Sequence, residues 1–287
     1  MTAGRLPLFC GTALAERIER AEAQLIAKAS EAARRRRADA AGFVLPVAGG
    51  VAGFAEAGSP FNKVAGLGFG GVPGPAAWGQ IERAYAAVGA PVRVELAHLA
   101  DPALGAVLTG RGYQLTLFDN VLGLVLRGEP ARVTPPGVEV RPSGEEEFES
   151  WLDVVLHGFA HPDAPGAAMH DELPREVLAG AAQDFAAVGG IRYIALHEGV
   201  IAGAARLCMA EGVALLAGAT TAPAHRRRGV QAALLSARIA DAAAAGCDVA
   251  IVTTLPGSKS QQNVQRQGFD LLYTRATLVR QASSLVR

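Results

Sequence analysis

The segment PAHRRRGVQAALL, residues 223–235, places four basic side chains directly before a run of small and apolar residues. The apolar run follows Gly229, and the basic residues before it are His225, Arg226, Arg227 and Arg228. A helix that begins here has N–H groups without partners in its first turn and a dipole that is positive at this end. Arginines oppose that dipole unless an anion is bound, and glycine lets a ligand approach the backbone closely. The pattern therefore favours a phosphate or diphosphate site over a solvated helix end.

The surrounding sequence excludes several classes of phosphate site. The chain contains neither a GxxxxGK[ST] loop nor a GxGxxG turn at this position. A nucleic-acid partner fits poorly, because 27 basic residues balance 27 acidic ones and no aromatic residues alternate with the basic patch. No run of 18 apolar residues predicts a membrane span. We therefore expect neither nucleic acid nor a membrane as a partner.

Length and composition set the outer limits of the fold. The 287 residues suffice for two ordinary domains, and half of them are hydrophobic. The three cysteines, Cys10, Cys208 and Cys247, lack CxxC spacing, which argues against a disulfide framework or a zinc ribbon. They suit a reducing cytosol, and the first twenty residues lack the apolar core of a signal peptide. We expect a cytoplasmic protein, and the abundance of Ala, Gly and Arg is typical of a bacterial source.

The pattern along the chain predicts two similar α/β halves joined by a linker at 128–137, which is rich in Pro and Gly. The first half opens with a helix at about 13–37, whose terminal run Arg34–Arg37 we interpret as a solvated helix end. It closes with two short strands around YQLTLFDN and VLGLVLR. The second half has a helix with Ser143 as its N-cap, and a strand, VALLAGATT, that we expect to be buried on both sides.

The order of elements repeats between the halves. Val-Ala-Gly at 64–66 and Leu-Ala-Gly at 216–218 are each followed by a loop, a helix, a strand, a short helix and a Gly-aromatic pair. The glycine–aromatic pairs are Gly112-Tyr113 and Gly268-Phe269. This similarity predicts two copies of one fold.

The pattern Arg226-x-x-Gly229-x-Gln231 resembles the pyrophosphate loop Q/R-x-x-G-x-G/A of the GNAT acetyltransferase superfamily. The element order over 138–280 and the segment 256–280 resemble that superfamily too. Gln231 departs from the small residue that is commoner there, although it keeps the backbone N–H. The resemblance implies two tandem GNAT-like acyl-CoA N-acyltransferase domains, 1–130 and 131–287, each a mixed, mostly antiparallel sheet flanked by helices. The first copy looks degenerate, because its loop at 70–80 has two prolines and no arginine.

The resemblance further implies acetyl-CoA as co-substrate and an N-acetyltransferase that acts on a primary amine. The diphosphate would bind the loop and the start of the helix, and the pantetheine arm would pair with the preceding strand and touch the following helix. The residues so implied are Ala219, Thr220, Thr221, Arg226, Arg227, Arg228, Gly229, Val230, Gln231, Ala232, Ser260 and Asn263. A silent acyl-CoA-binding or regulatory module is the alternative, since acid and base are hard to name.

The catalytic groups are the weakest part of the resemblance. Superfamily members often use a Glu on the strand before the loop and a Tyr in the last helix. Here Val264 stands at the usual Tyr position, which leaves Glu211 and Tyr273 as candidates, although Tyr273 also fits a packed aromatic. The backbone amide around Thr220 could polarise the thioester carbonyl.

The loop at 157–174 is rich in His, Asp and Glu but lacks the helical spacing of a metal site. We interpret it as an acceptor-recognition loop and expect no metal. Its candidate contacts are His161, Asp163, His170, Asp171 and Glu172. The carboxylates among them suit a cationic acceptor, which could be a small-molecule amine or a protein amine. We expect a monomer or a homodimer.

Overall fold

The structure is a computed structural model that describes residues 6–38, 41–161 and 174–282. The first half contains α1 (Thr12–Arg37), β1 (Phe43–Val47), β2 (Gly50–Phe54), β3 (Lys63–Ala65), α2 (Pro75–Ala87), β4 (Val92–Ala97), α3 (Ala103–Gly110) and β5 (Gln114–Val125). The second half contains β6 (Val138–Pro142), α4 (Phe148–Ala160), α5 (Arg175–Ala187), β7 (Ile191–His197), β8 (Val200–Ala210), β9 (Val213–Thr221), α6 (Val230–Ala244), β10 (Val249–Thr254), α7 (Lys259–Arg266) and β11 (Asp270–Arg280).

The strands of both halves form one eleven-stranded sheet in the order β1-β2-β3-β4-β11-β5-β10-β9-β8-β7-β6. The final strand of each half is inserted beside the other half. Strand β11 pairs with β4 of the first half, and β5 pairs with β10 of the second. The two exchanged strands also pair with each other in antiparallel orientation. The halves are therefore joined by backbone hydrogen bonds along their whole shared edge.

The expected pair of strands at the end of the first half is wrong, because β5 is one continuous strand of 12 residues. Its middle residue Asn120 lies opposite Thr254 on one side and Thr274 on the other. Since neighbours on both sides continue the pairing through this point, the chain has no reason to turn there.

The predicted repeat is confirmed by the backbone. The pairs β3–β4 and β9–β10 are both parallel and occupy equivalent places in the two halves. The glycines that ended the matched sequence segments all have positive φ angles: 76° at Gly66, 57° at Gly218, 83° at Gly112 and 89° at Gly268. A side chain would strain these conformations, so the sequence match reflects a shared backbone path.

Helix α1 ties the halves together a second time, because it packs against β1, β2 and β3 and also against α5, β8 and β9. Its terminal arginines Arg34–Arg37 are all exposed, as expected, and Arg36 also forms ion pairs. Arg36 donates to Asp184 on α5, with 2.9 Å between Nε and Oδ1, and to Glu56. The Asp184 side chain is only 2% exposed whereas Arg36 is 30% exposed, so only the acidic side of this ion pair is shielded from water.

A buried polar cluster links the same helix to β11. The Tyr273 hydroxyl donates to Glu19 Oε1 at 2.6 Å, and Arg275 Nε donates to the same oxygen at 2.7 Å. All three residues are at most 3% exposed. Burial, and then the Glu19 carboxylate, raise the pKa of Tyr273 well above its ordinary value. The hydroxyl therefore keeps its proton, and its visible role is to hold two chain ends together.

Three smaller expectations concern the start of α4, the cysteines and membrane-crossing helices. Ser143 does not cap α4; instead the Gly144 N–H donates to the Glu147 carboxylate at 2.9 Å, because a short 3₁₀ turn at Glu145–Glu147 precedes the helix. The three cysteines are free. Within the described ranges no helix combines the length and apolarity that a membrane crossing requires.

We expect fragments 1–130 and 131–287 to fold only when both are present. Without β5, the second fragment would expose the edges of β10 and β11, and unpaired strand edges aggregate. Gel filtration and circular dichroism of each fragment alone, and of the co-expressed pair, measure this. A monomeric 131–287 fragment that melts at the temperature of the intact chain would contradict the expectation.

We expect Tyr273→Phe to lower the free energy of unfolding by about 1–3 kcal/mol, since Glu19 loses a buried hydrogen bond. Urea denaturation measures this loss. Tyr113→Phe serves as the matched control, because the Tyr113 hydroxyl makes a much longer bond, 3.5 Å, to Glu82. An equal effect of the two substitutions would show that the Glu19 contact is unimportant.

Candidate functional site

The second half contains a cleft between two parallel strands. Strand β9 pairs with β10 only over Val213–Leu215, which lie opposite Val249–Ile251. Beyond Leu215 the described pairing of β9 is with β8 alone. Ala217 and Ala219 are exposed there. The expectation of a strand buried on both sides holds for its first four residues and is wrong for the rest, because the neighbouring strand diverges.

A β-bulge shapes the cleft wall. Ala204 on β8 lies opposite Thr220, but Arg206 lies opposite Ala217, so three steps along β9 match two along β8. The extra residue is accommodated at Gly218, whose φ is 57°. Bulges twist a strand and re-aim its backbone groups, and they are common beside active sites. Here the bulge lies between the closed end of the cleft and its open end.

The loop from β9 to α6 forms the predicted anion site. Arg227 and Gly229 both have positive φ angles, 64° and 80°, and α6 begins directly after them. The first bond into the helix joins Ala233 N–H to the Gly229 carbonyl, and no side chain caps this end. Arg227 and Arg228 are exposed beside it. Free N–H groups of the first turn and two accessible arginines thus lie together at the mouth of the cleft.

Arg226 has a different role from its neighbours. Its guanidinium donates to the backbone carbonyl of His161 at the end of α4. This contact joins the anion loop to the helix that covers the cleft. The expected direct contact of Arg226 with a cofactor remains a prediction, whereas its structural contact is visible.

The linker forms part of the site, which the sequence did not indicate. A methyl group on Gly229 would lie 2.6 Å from Pro135 Cγ, so Pro135 packs directly over the anion loop. The Val133 N–H donates to Ser236 Oγ on α6 at 2.9 Å. The linker therefore fixes the start of α6 from outside. The only sequence signal was the cluster of prolines in this segment.

The structure also brings together two residues that were expected to contact the cofactor. Asn263 Nδ2 on α7 donates to Gln231 Oε1 on α6 at 2.7 Å. Ser260 is exposed in the first turn of α7, whereas Ser258 is the residue that caps this helix. The bond between the two amides closes the space between α6 and α7.

Helix α4 makes an unusually close approach to the cleft. A methyl group on Gly158 would lie 1.6 Å from Thr220 Oγ1, so only glycine lets the helix contact the end of β9. Glycine inside a helix lowers stability relative to alanine, so a glycine within the helical pattern indicates a close packing contact. Thr220 is therefore enclosed by α4 on one face of the sheet.

The two catalytic candidates do not lie at the cleft. Glu211 is in the turn before β9, where it accepts a bond from Gln24 at 2.7 Å. Nine residues of extended strand separate it from Thr220, a length of about 30 Å. Tyr273, on β11, belongs to the buried cluster that it forms with Glu19 of α1. Both assignments are corrected on position, because neither side chain is near the bulge.

The loop expected to recognise the acceptor is described only at its start. His161 is exposed, and its Nδ1 lies 2.9 Å from the His157 carbonyl oxygen. The two imidazole rings are 4.3 Å apart. The other candidates lie outside the described residues: Asp163, His170, Asp171 and Glu172. Across the described ranges no group of three His, Cys, Asp or Glu residues could hold a metal ion.

Solved structures share this architecture. A GCN5-related N-acetyltransferase from Kribbella flavida is 22% identical, with a TM-score of 0.65 over 95% of this chain and 97% of that one. A tandem GNAT protein from the clavulanic acid biosynthesis pathway is 15% identical, with a TM-score of 0.57 over 97% and 98%. A GCN5-related N-acetyltransferase from Sphaerobacter thermophilus is 14% identical, with a TM-score of 0.51 over 67% and 60%.

The sequence comparison is more restricted. No curated protein sequence matches the chain significantly. Residues 156–269 match the acetyltransferase (GNAT) family, and this segment contains the cleft, the bulge and the anion loop. Residues 156–269 are thus similar to the acetyltransferase (GNAT) family, and the chain as a whole shares its fold with solved tandem GNAT structures.

Proposed function

We propose that the protein is an N-acetyltransferase that transfers an acetyl group from acetyl-CoA to a primary amine, with its active site in the C-terminal half. The observation that carries the proposal is the divergence of β9 from β10 directly before the N-terminus of α6. An acyl-CoA has a diphosphate at one end of an arm that contains amides. The exposed edge of β9 can pair with those amides, and the helix end can bind the diphosphate.

The chemistry asks three things of this cleft. The amine nitrogen attacks the thioester carbon and gives up one proton, the carbonyl oxygen becomes negative, and the sulfur leaves as the intermediate collapses and takes up a proton to form the CoA thiol. Backbone N–H groups at the bulge are the candidate donors to that oxygen, and a fixed donor of this kind is worth several kcal/mol. Helix α4, held against Thr220 and tied to the loop through Arg226, positions the acceptor side of the cleft.

The N-terminal half supports the placement in the second half, because its equivalent cleft is closed. The Gly68 carbonyl accepts a bond from the Asp101 N–H at 3.0 Å, across the place where β3 and β4 would separate. A methyl group on Gly68 would lie 2.6 Å from Leu104. Helix α2 begins at Pro75, which has no N–H to offer an anion.

A silent acyl-CoA-binding module remains the second candidate, since Glu211 and Tyr273 lie away from the cleft. The two proposals differ in turnover. Release of free CoA from acetyl-CoA, measured in the presence of a panel of amines, supports the enzyme. Binding of acetyl-CoA without release in any amine supports the silent module.

We expect the double variant Arg227→Gln/Arg228→Gln to bind acetyl-CoA at least tenfold more weakly, a loss of about 1.4 kcal/mol. The two exposed arginines add charge-assisted bonds to the diphosphate, each worth about 1.5–3 kcal/mol. Isothermal titration calorimetry measures the dissociation constant. Arg34→Gln/Arg35→Gln is the matched control, because it removes two exposed arginines at the far end of α1. Equal losses in both variants would show a general charge effect and remove the loop from the proposal.

We expect Gly158→Ala to lower both stability and kcat/KM, because the added methyl forces α4 away from Thr220. Overpacking of this kind costs about 1–3 kcal/mol. Gly105→Ala in α3 is the control, since nothing lies within 4 Å of its added methyl. That control should gain about 0.5–1 kcal/mol of stability from better helix propensity. Unchanged turnover in Gly158→Ala would show that the position of α4 does not matter for the reaction.

A further inference from the structure

Arg206 lies beside the bulge and is not used in the proposal above. It stands on β8 opposite Ala217, and its side chain reaches across to β9. A methyl group on Gly218 would lie 2.7 Å from both Nε and Nη2 of this guanidinium. The rings of Phe185 and Trp151 flank the Arg206 guanidinium carbon, with centroids 5.5 and 6.0 Å away. The cation is thus held by two helices against the extra residue of the bulge.

The Arg206 guanidinium has no acidic partner among the residues that the structure describes. Its Nε is buried and makes no hydrogen bond. Arg192 Nε is also buried without a hydrogen bond, but both neighbouring arginines, Arg192 and Arg238, have other partners. Arg192, directly opposite on β7, pairs with Glu145 and lies 4.9 Å from the Phe148 ring. Arg238 donates to the carbonyl oxygens of Leu234 and Arg206 at 3.0 Å.

This arrangement is unfavourable for an empty protein. Burial lowers the pKa of Arg206 to about 10, so the group remains a cation at neutral pH. A like charge directly across the strand pair destabilises the sheet, and the buried Nε without a hydrogen-bond partner adds to that cost, although the residue as a whole is partly exposed. The two aromatic rings offset part of this cost but neutralise no charge. An unpaired guanidinium in this position is suited to binding the anionic group of a ligand.

The position along the cleft indicates which part of the substrate that anion belongs to. The diphosphate site at Gly229 lies beyond the open end of the cleft, and the strands meet at Leu215. Along β9, Gly218 lies between Leu215, where the strands meet, and Thr221, where β9 ends before the loop. The reacting end of an acyl-CoA therefore comes closest to Arg206, while its diphosphate stays near the loop.

We propose that Arg206 binds a carboxylate of the substrate at the acyl end of the cleft and so determines specificity. The planar guanidinium can hold a carboxylate through two parallel hydrogen bonds. The carboxylate can come from the donor, as in a dicarboxylic acyl-CoA, or from the acceptor, as in an amino acid. This inference rests on the proposed function and disfavours a purely cationic acceptor, which Arg206 would repel.

The test compares carboxylate-bearing probes with neutral ones on the intact chain and on Arg206→Met, which keeps a long apolar stem without charge. In the donor arm, calorimetry measures dissociation constants for succinyl-CoA and acetyl-CoA. In the acceptor arm, thermal shift in the presence of CoA compares amino acids with the corresponding amino-acid amides. We expect a preference of at least tenfold for the carboxylate in one arm, lost in Arg206→Met, with acetyl-CoA affinity unchanged within twofold.

Two further variants separate recognition from structure. Arg192→Met removes the arginine across the strand pair, which already has its own carboxylate, and should lower the melting temperature while keeping the preference. Arg206→Met should not lower the melting temperature, because an apolar group replaces an uncompensated charge. Arg206→Lys keeps the charge without the fork and should retain part of the preference, so it also serves if the Met variant does not fold.

The result assigns the source of the carboxylate or overturns the proposal. A succinyl-CoA preference places the carboxylate on the donor, and an amino-acid preference places it on the acceptor. No preference in the wild type, or an equal loss of acetyl-CoA and succinyl-CoA binding in Arg206→Met, overturns the proposal. If the wild type binds neither succinyl-CoA nor acetyl-CoA, the proposed function fails together with this inference, and that outcome differs from binding of both thioesters without a preference.

Discussion

The exchange of the two final strands is the constraint on which the rest of the structure depends. Strand β10 hydrogen-bonds along its whole length, Val249–Thr254, to β5 from the other half. Pairing with β5 satisfies the backbone groups of β10 on that edge, so the strand stays held in the sheet where it separates from β9 after Ile251. Buried backbone groups must find partners, so a strand can leave one neighbour only when the other holds it. The N-terminal half thus supports one wall of the cleft, β10, from behind, although it contributes no anion loop.

The same exchange explains where the buried charges lie. Strand β11 belongs to the second half by sequence but sits among strands of the first, under α1. There Arg275 and Tyr273 meet Glu19 of that helix. Removing one partner from such a cluster leaves an uncompensated buried charge, which is far more costly than an exposed ion pair is worth. The cluster therefore holds the two ends of the chain together at the seam between the halves.

The parts of the site that the sequence predicted are local ones. The spacing from Arg226 to Gly229, the helix start and the glycines of the repeat depend on backbone conformations within a few residues. The missed contacts join residues that are distant in the chain: Pro135 with Gly229, Gly158 with Thr220, and Glu19 with Tyr273. Alternating or apolar patterns show that a segment is a strand, but they do not name its neighbour. Strand exchange was therefore beyond such patterns: a packed aromatic at Tyr273 was expected, but its partner Glu19 in α1 was not.

The two halves share one fold but differ in the polar groups that they leave without a hydrogen-bond partner. In the first half β3 ends after three residues, Gly68 closes onto α3, and Pro75 reduces the free N–H groups of α2. In the second half β9 continues for nine residues with a free edge. Free helix N–H groups lie at the mouth of this cleft, and the unpaired guanidinium of Arg206 lies against Gly218 of β9. Groups that folding leaves unsatisfied store interaction energy for a ligand, so the half that is less complete as a folded unit is the one equipped to bind, and the closed half holds it rigid.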